Sequence, residues 1–244
     1  MKQFNRTELL FGNEAIEIFQ KSRIAIMGLG GVGSFAAEGL VRSGIGSILL
    51  VDFDKIGISN LNRQLPALHS TIGILKTETM RDRLLDINPS LEIEIYSDFF
   101  DNESRDQLLN NIDFVVDAID SLGPKAELLE SVYKMKIPVI SAMGAAGRVD
   151  PSKIVQTDIS KTYMCPLARK VRKYLHRRGI YKGIPVLFST EEPIPQFDFE
   201  AGSEEEWVSN RGRKRGTLGS VVYLPAIMGM WATSYVLRKL AGKI

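Results

Sequence analysis

The sequence predicts an α/β fold: a doubly wound, mainly parallel sheet with helices on both faces and a C-terminal extension. Three observations predict it. Short apolar runs alternate with helix-like segments over the first two-thirds of the 244 residues. The stretch GLGGVGS, Gly28 to Ser34, joins the first apolar run to the first helix-like segment, and Asp52 ends the second run. Alternating strands and helices force right-handed crossovers and parallel strands. A glycine turn leading into a helix N-terminus is where such sheets receive an anion.

The elements follow in order. Ile24–Met27 is the first strand and Val32–Ser43 the first helix of the alternation; Ser47–Val51 is the second strand, closed by Asp52. A helix rich in ion pairs runs from about Lys76 to Ile87 and stops before Pro89, because proline cannot continue it. Leu91–Ile95 alternates like a strand with one wet face. Asp101 caps a short helix to Asn110, Asp113–Ala118 is a buried strand, Pro124–Met135 a helix and Pro138–Ala142 a further strand. After Asp150-Pro151 the pattern degrades into a basic helix, a Pro- and Glu-containing loop from Thr190 to Asn210, and the basic run Arg211–Arg215. One domain over 1–244 is expected, with an arm over 1–22, a nucleotide-binding core over 23–150 and substrate-side elements over 151–244.

Hydrophobic content of 44% and charged content of 25% are those of an ordinary globular protein. The single cysteine, Cys165, excludes an intrachain disulfide and a Cys-x-x-Cys zinc site. That usage and an N-terminus without an uninterrupted apolar core lead us to expect a cytoplasmic protein. The uncharged run Thr217–Leu237 has the length of a membrane helix, but Gly219, Pro225 and Gly229 interrupt it. A buried helix from about Pro225 is expected, with peripheral membrane contact the alternative.

Chemistry is read from the loop outward. Gly28 allows the tight turn, Gly30 and Gly31 let a phosphate approach the backbone, and Gly33 lets helix and strand pack closely. Asp52 stands where a carboxylate accepts hydrogen bonds from a ribose. A NAD dehydrogenase shows all of this too. The continuation separates the two: Asp54, then Ser59-Asn60-Leu61-Asn62-Arg63-Gln64, then Gly73-x-x-Lys76. Fixed cations have a use where a carboxylate attacks an α-phosphate and pyrophosphate departs. Asp120 lies just beyond a buried strand, where a carboxylate facing phosphates is a natural Mg2+ ligand. Taken singly, Arg63 could pair with Asp54 as scaffold, Lys76 could cap a helix contact, and Asp120 could cap the Ser121–Pro124 turn.

These motifs, GxGGxGS, DxD, SNLNRQ, GxxK and AIDS, in this order over Arg23–Ser121, resemble the ThiF-like, ubiquitin-activating-enzyme-like adenylyltransferase superfamily. The resemblance implies ATP held by Gly28, Gly30, Gly31, Gly33 and Asp52, with Asn60, Arg63 and Lys76 around the phosphates and Asp120 on Mg2+. Ser34, Asp54 and Gln64 join as lesser members. It also implies a homodimer in which Arg6 reaches the partner's ATP.

Within the superfamily the chain resembles the tRNA threonylcarbamoyladenosine dehydratases, on Asp117–Ser121 with Pro124-Lys125-Ala126, Gly144–Gly147 with Asp150-Pro151, Thr157-Asp158, Lys161-Thr162, Pro166-Leu167-Ala168 and Phe188–Glu191. That resemblance implies ATP-dependent activation of the threonylcarbamoyl carboxylate and intramolecular ring closure with loss of AMP. A tethered nucleophile at high effective concentration needs no catalytic cysteine. Eight Lys and Arg between Lys161 and Lys182, together with Arg211–Arg215, would then grip tRNA. Cys165 before Pro166 departs from the expected pattern, where an aspartate would be unsurprising, and keeps a thioester role open. Three other readings stand beside this one: activation of the C-terminal glycine of a ubiquitin-like sulfur carrier, a sulfur-relay adaptor receiving persulfide at Cys165 from a protein partner, and a non-enzymatic ATP- or RNA-binding scaffold.

Overall fold

The computed structural model describes residues 3–100, 104–195 and 218–244. Helices α1 (Asn5–Phe11) and α2 (Asn13–Lys21) precede β1 (Arg23–Met27), α3 (Gly33–Arg42), β2 (Ser47–Val51), α4 (Lys76–Ile87) and β3 (Glu92–Tyr96). Then come α5 (Arg105–Leu108), β4 (Phe114–Asp117), α6 (Leu122–Met135), β5 (Val139–Ala142), β6 (Ile154–Asp158), α7 (Pro166–His176), β7 (Pro185–Ser189) and α8 (Tyr223–Leu240). The expected cap Asp101, the distal part of the Thr190–Asn210 loop and the run Arg211–Arg215 lie outside the described residues.

All seven strands of the described residues form one sheet in the order β3-β2-β1-β4-β5-β7-β6, parallel except where β6 pairs antiparallel with β7. Successive side chains of a strand point to opposite faces, and here both faces are covered. Ile24 and Ile26 of β1, Ile48 and Leu50 of β2, and Phe114 and Val116 of β4 enter the core shared with α3 and α8. Ala25, Met27, Leu49, Val51 and Val115 enter the opposite core, with Leu128, Leu129 and Val132 of α6 and Val171 and Leu175 of α7. Strands buried on both sides read as unbroken apolar runs, which is why β1, β2 and β4 were legible.

The described part of the N-terminal arm folds as α1 and α2, with Phe19 fully buried and its ring edge-on to Phe11 at 5.5 Å. Two expectations are corrected. The described residues after Pro151 are not all irregular: they add β6 and β7 to the same sheet. The α6 helix starts at Leu122, because Pro124 falls in the first turn, where its missing N–H costs no bond.

The buried C-terminal helix is present and begins at Tyr223. It lies so close to α3 that a Cβ on Gly229 would sit 2.5 Å from the Val32 carbonyl oxygen, and one on Gly39 2.6 Å from Thr233 Oγ1. Among the described residues no helix is long and apolar enough to cross a membrane.

Candidate functional site

The sheet changes winding direction at β1, which has β2 on one side and β4 on the other. Ligands of such sheets sit beyond the strand carboxyl ends at this switch point. The Gly28–Gly33 loop occupies it. Gly28 N–H donates to Val51 O at 2.8 Å and Ala118 N–H to Met27 O at 2.8 Å, so the loop is pinned to both neighbouring strands. Gly28 has φ +94°, and a Cβ there would lie 2.9 Å from Ala118 O. A Cβ on Gly33 would lie 1.8 Å from Gly28 O. Gly30 differs: the nearest atom to its Cβ position is Gln64 Nε2, at 3.9 Å, which leaves room for a ligand against the backbone. Gly31 is walled by protein instead, with Pro225 of α8 at 3.0 Å and Arg63 O at 3.3 Å from its Cβ position. Ser34 is fully buried and donates to Gly30 O at 2.7 Å; it braces the loop and does not face outward.

Asp52 ends β2 beside the loop. One carboxylate oxygen accepts Leu29 N–H at 2.6 Å and the other Asp54 N–H at 2.8 Å. Lys76, at the first position of α4, is buried; its Nζ lies 2.7 Å from Asp54 Oδ2 and 4.0 Å from Asp52 Oδ1. Burial pulls the Lys76 pKa down, but Asp52 and Asp54, with Asp120 farther off, outweigh it and raise the value above the usual lysine range. Burial pushes the Asp52 carboxyl up, against the pull of Lys76 and of its two N–H donors. The result is a cation held in a dry place by carboxylates, one of them half exposed.

The Ser59–Gln64 segment lies on the same edge. Asn60 is buried, accepting Gly57 N–H at 3.1 Å, and so shapes its own turn. Arg63 donates to Ser59 O at 2.7 Å and Asn62 Oδ1 at 2.9 Å, and no ion pair joins it to Asp54. The Gln64 amide lies against Gly30, and among the described residues its buried Oε1 has no hydrogen-bond partner, an unusual state for a buried polar atom and one a ligand donor would relieve.

Asp120 is exposed, three residues past β4, and the motif residue Asp117 behind it is fully buried. No group of three or more His, Cys, Asp or Glu among the described residues is placed to hold a metal. Arg6 is not brought to this site within the chain. Its helix docks at the opposite edge of the sheet: Phe4 lies 3.5 Å from the Cβ position of Gly44, and Gln3 Nε2 donates to Ile87 O at 2.7 Å.

On the far side of the edge, the loop after β5 is organised by Arg148, which sequence reasoning missed. It is almost fully buried, donates Nη1 to Gly144 O at 2.8 Å and Ala146 O at 3.1 Å, and donates Nε to Glu191 O at 3.2 Å; Nη2 is unpartnered among the described residues. Glu191 in turn accepts the N–H groups of Val149 and Asp150. The signal was a lone arginine between the motif pieces Gly144–Gly147 and Asp150-Pro151, indistinguishable in sequence from a surface charge. Cys165 is buried at the N-terminus of α7, within the apolar core, its Sγ 4.0 Å from the Cβ position of Gly144. Asn62 Nδ2 donates to Ser220 O at 3.0 Å and Tyr223 Oη to Val149 O at 2.9 Å, so the start of α8 is tied to both halves of the edge.

The fold and the residues gathered at this edge define a doubly wound α/β protein of the nucleotide-binding class. The chain belongs to the ThiF family, which it matches over residues 4–244. It is 41% identical to the tRNA threonylcarbamoyladenosine dehydratase of Bacillus subtilis, over 98% of this chain and 95% of that protein. It superposes on crystal structures of the Escherichia coli tRNA N6-threonylcarbamoyladenosine dehydratase, TcdA: in complex with AMP with a TM-score of 0.88 at 35% identity, and in complex with ATP with 0.86 at 34%, each covering 99% of this chain and 94% of that one. It is also 34% identical to the E. coli molybdopterin-synthase adenylyltransferase, over 68% of this chain and 67% of that protein.

Proposed function

We propose that the chain uses ATP to dehydrate threonylcarbamoyladenosine in tRNA. The modification's carboxylate attacks the α-phosphate of ATP, releasing pyrophosphate, and a neighbouring group of the same modification then displaces AMP and closes a ring. One observation carries the reading: the likeness to the dehydratases runs through the whole chain, β6, β7 and α8 included, while the likeness to the molybdopterin-synthase enzyme covers about two-thirds of it.

Each residue has a task in this reading. Gly30 leaves the backbone bare for a phosphate, with the α3 N-terminus behind it. Asp52 orients the ribose with the acceptor capacity left over from its two internal bonds. Lys76 exchanges Asp54 for the charge that develops at the α- and β-phosphates, so a buried cation is never left alone. Asn60 keeps the turn that presents Arg63, and Gln64 offers its orphan Oε1. Mg2+ supplies charge neutralisation of the phosphates, and Asp120 is the residue that would hold it. Arg6 acts in trans across a homodimer, which its location at the wrong edge of its own sheet supports. The apolar strip of Phe35, Ile227, Met230 and Trp231 between α3 and α8 is read as facing the second copy in preference to lipid. A buried Cys165 gives no support to a thioester route.

The test is mass spectrometry of nucleosides from threonylcarbamoyl-modified tRNA incubated with the purified chain and ATP, prepared mildly so that a cyclic ester survives. A product lighter by one water, with one AMP per product, is expected. Unchanged tRNA under conditions where it binds would sink the reading.

A further inference from the structure

We infer that the turn after β5, Gly144–Gly147, is an oxyanion hole for the ring-closing step, with Arg148 as the residue that positions it; this rests on the dehydratase reading above and deepens its second half. Arg148 Nη1 donates to Gly144 O at 2.8 Å and to Ala146 O at 3.1 Å, so both carbonyls turn inward. The peptides are trans, and in a planar trans peptide the N–H points opposite to the C=O. The Ala145 N–H, which shares its peptide with Gly144 O, is therefore aimed away from the guanidinium. Gly147 fixes the far end of the turn: its N–H donates to Gly219 O at 2.8 Å and its carbonyl accepts Ile194 N–H at 2.7 Å. Among the described residues the N–H groups of Gly144, Ala145 and Ala146 meet no acceptor, and all three residues are partly exposed. Successive free N–H groups of this kind make an anion-binding concavity.

The charge behind the turn points the same way. Arg148 is 3% exposed, and among the described residues no carboxylate pairs with it. The Glu191 carboxylate is taken by the N–H groups of Val149 and Asp150, and only the Glu191 backbone carbonyl reaches Arg148 Nε, at 3.2 Å. Where this fold uses an arginine as a brace between helices it supplies a carboxylate: Arg42 and Arg83 both meet Glu38. A buried cation held by carbonyls alone is costly. Its positive charge polarises the two peptides it grips, which strengthens their outward N–H groups as donors, and it lowers the energy of negative charge in front of them.

Placement ties the turn to the reaction. The β5 strand pairs with β4, whose end leads to Asp120, and β4 pairs with β1, which carries the Gly28–Gly33 loop. The turn is thus two strand spacings, about 10 Å, from the phosphate loop, on the same edge. In ring closure the attacking group of the modification bonds to the acyl carbon, and the carbonyl π pair moves onto oxygen, where the Ala145 and Ala146 N–H groups receive it. The pair returns as the bond from carbon to the phosphate oxygen breaks; AMP leaves with that bond's electrons, and the attacking group's proton passes to water. In adenylation the same oxygen loses charge, because a carboxylate becomes an ester. The hole therefore favours closure and gives adenylation no advantage.

The experiment separates the two half-reactions on threonylcarbamoyl-modified tRNA. ATP–pyrophosphate exchange reads adenylation, and acid-quenched single turnovers analysed by mass spectrometry read the tRNA-linked adenylate and the closed ring. Ala145→Pro, which deletes one donor, is expected to slow closure by about 100-fold or more, and Arg148→Met by roughly tenfold or more, while exchange stays within about threefold of wild type and the adenylate accumulates. Arg148→Lys, which keeps the charge, should fall between Arg148→Met and wild type. If Ala145→Pro does not fold, the two Arg148 variants decide alone. Exchange and closure falling together would make the turn a structural element and overturn the hole; so would closure at the wild-type rate in every variant, which leaves the dehydratase reading standing. A wild type that exchanges pyrophosphate yet closes no ring removes the dehydratase reading and this step with it.

Discussion

Lys125 Nζ lies 2.7 Å from Asp117 Oδ2, and neither side chain reaches solvent. The same oxygen accepts the Ser141 hydroxyl at 2.5 Å, and the other accepts Ile119 N–H at 3.1 Å. Three elements, β4, α6 and β5, are thereby joined directly beneath the turn that carries Asp120. Removing one member of a buried pair strands the other's charge. Lys125→Met is expected to lower unfolding free energy by about 3–5 kcal/mol. The double variant D117N/K125M should recover part of that loss. Urea unfolding of the two variants checks it; a single variant with the wild-type midpoint would show that the pair does not support the turn.

Gly30 and Gly33 predict opposite failures. Gly33→Ala places a methyl group 1.8 Å from a carbonyl oxygen, a backbone clash that costs more than the about 1–3 kcal/mol of ordinary overpacking. It should lose thermal stability and ATP binding together. Gly30→Ala meets nothing closer than 3.9 Å among the described residues, so its melting temperature should stay near wild type while ATP affinity falls at least tenfold. Thermal melts paired with nucleotide titrations distinguish them, and an unchanged ATP affinity in Gly30→Ala would place the phosphates elsewhere.

Lys76→Met is expected to slow pyrophosphate release by roughly 10²–10³-fold, the scale of losing one preorganised charge donor. The pH dependence has a definite sign. The folded-state pKa of Lys76 is raised, so its stabilising contribution is complete below the unfolded value of 10.5 and fades only as pH rises through the folded value. Any titration limb of adenylation between pH 6 and 9 should therefore persist unshifted in Lys76→Arg. A limb that moves in that variant would contradict the assignment.

Glu38 lies between Arg42 Nε at 2.7 Å and Arg83 Nε at 2.5 Å, tying α3 to α4. Burial pushes its carboxyl up, but the two arginine hydrogen bonds and charges hold it below the ordinary 4.5. A depressed carboxyl contributes stability above its unfolded pKa and loses it as pH falls through the folded one. Glu38→Gln should cost about 1 kcal/mol at pH 7, discounted for the exposure of both arginines, and the difference from wild type should shrink below pH 4. Denaturation midpoints at pH 7, 5 and 3.5 test this.

How much was legible follows from where each signal is stored. Strands β1, β2 and β4 need apolar residues on both faces, and a four-residue run such as Ile48–Val51 with its flanks says so locally. The β6 strand, IVQTD, stands at the sheet edge with polar residues half exposed, and its partner β7 comes only after the whole of α7. No local pattern announces a pairing held that far apart. At the site, residue types were readable and their engagements were not. That Lys76 holds Asp54, that Ser34 turns inward and that Gly31 abuts a helix almost two hundred residues away depend on register and packing. Arg148 was silent because only burial distinguishes it from a surface arginine.

The contact between Gly31 and Pro225 also has a consequence for synthesis. The Gly28–Gly33 loop leaves the ribosome long before one of its walls, which is encoded near the other end of the described chain. At about 5–20 residues per second the interval is roughly 10–40 s. Throughout that time the loop exists without its cover, and the nascent protein is unfinished as a nucleotide binder, however complete its first strands are.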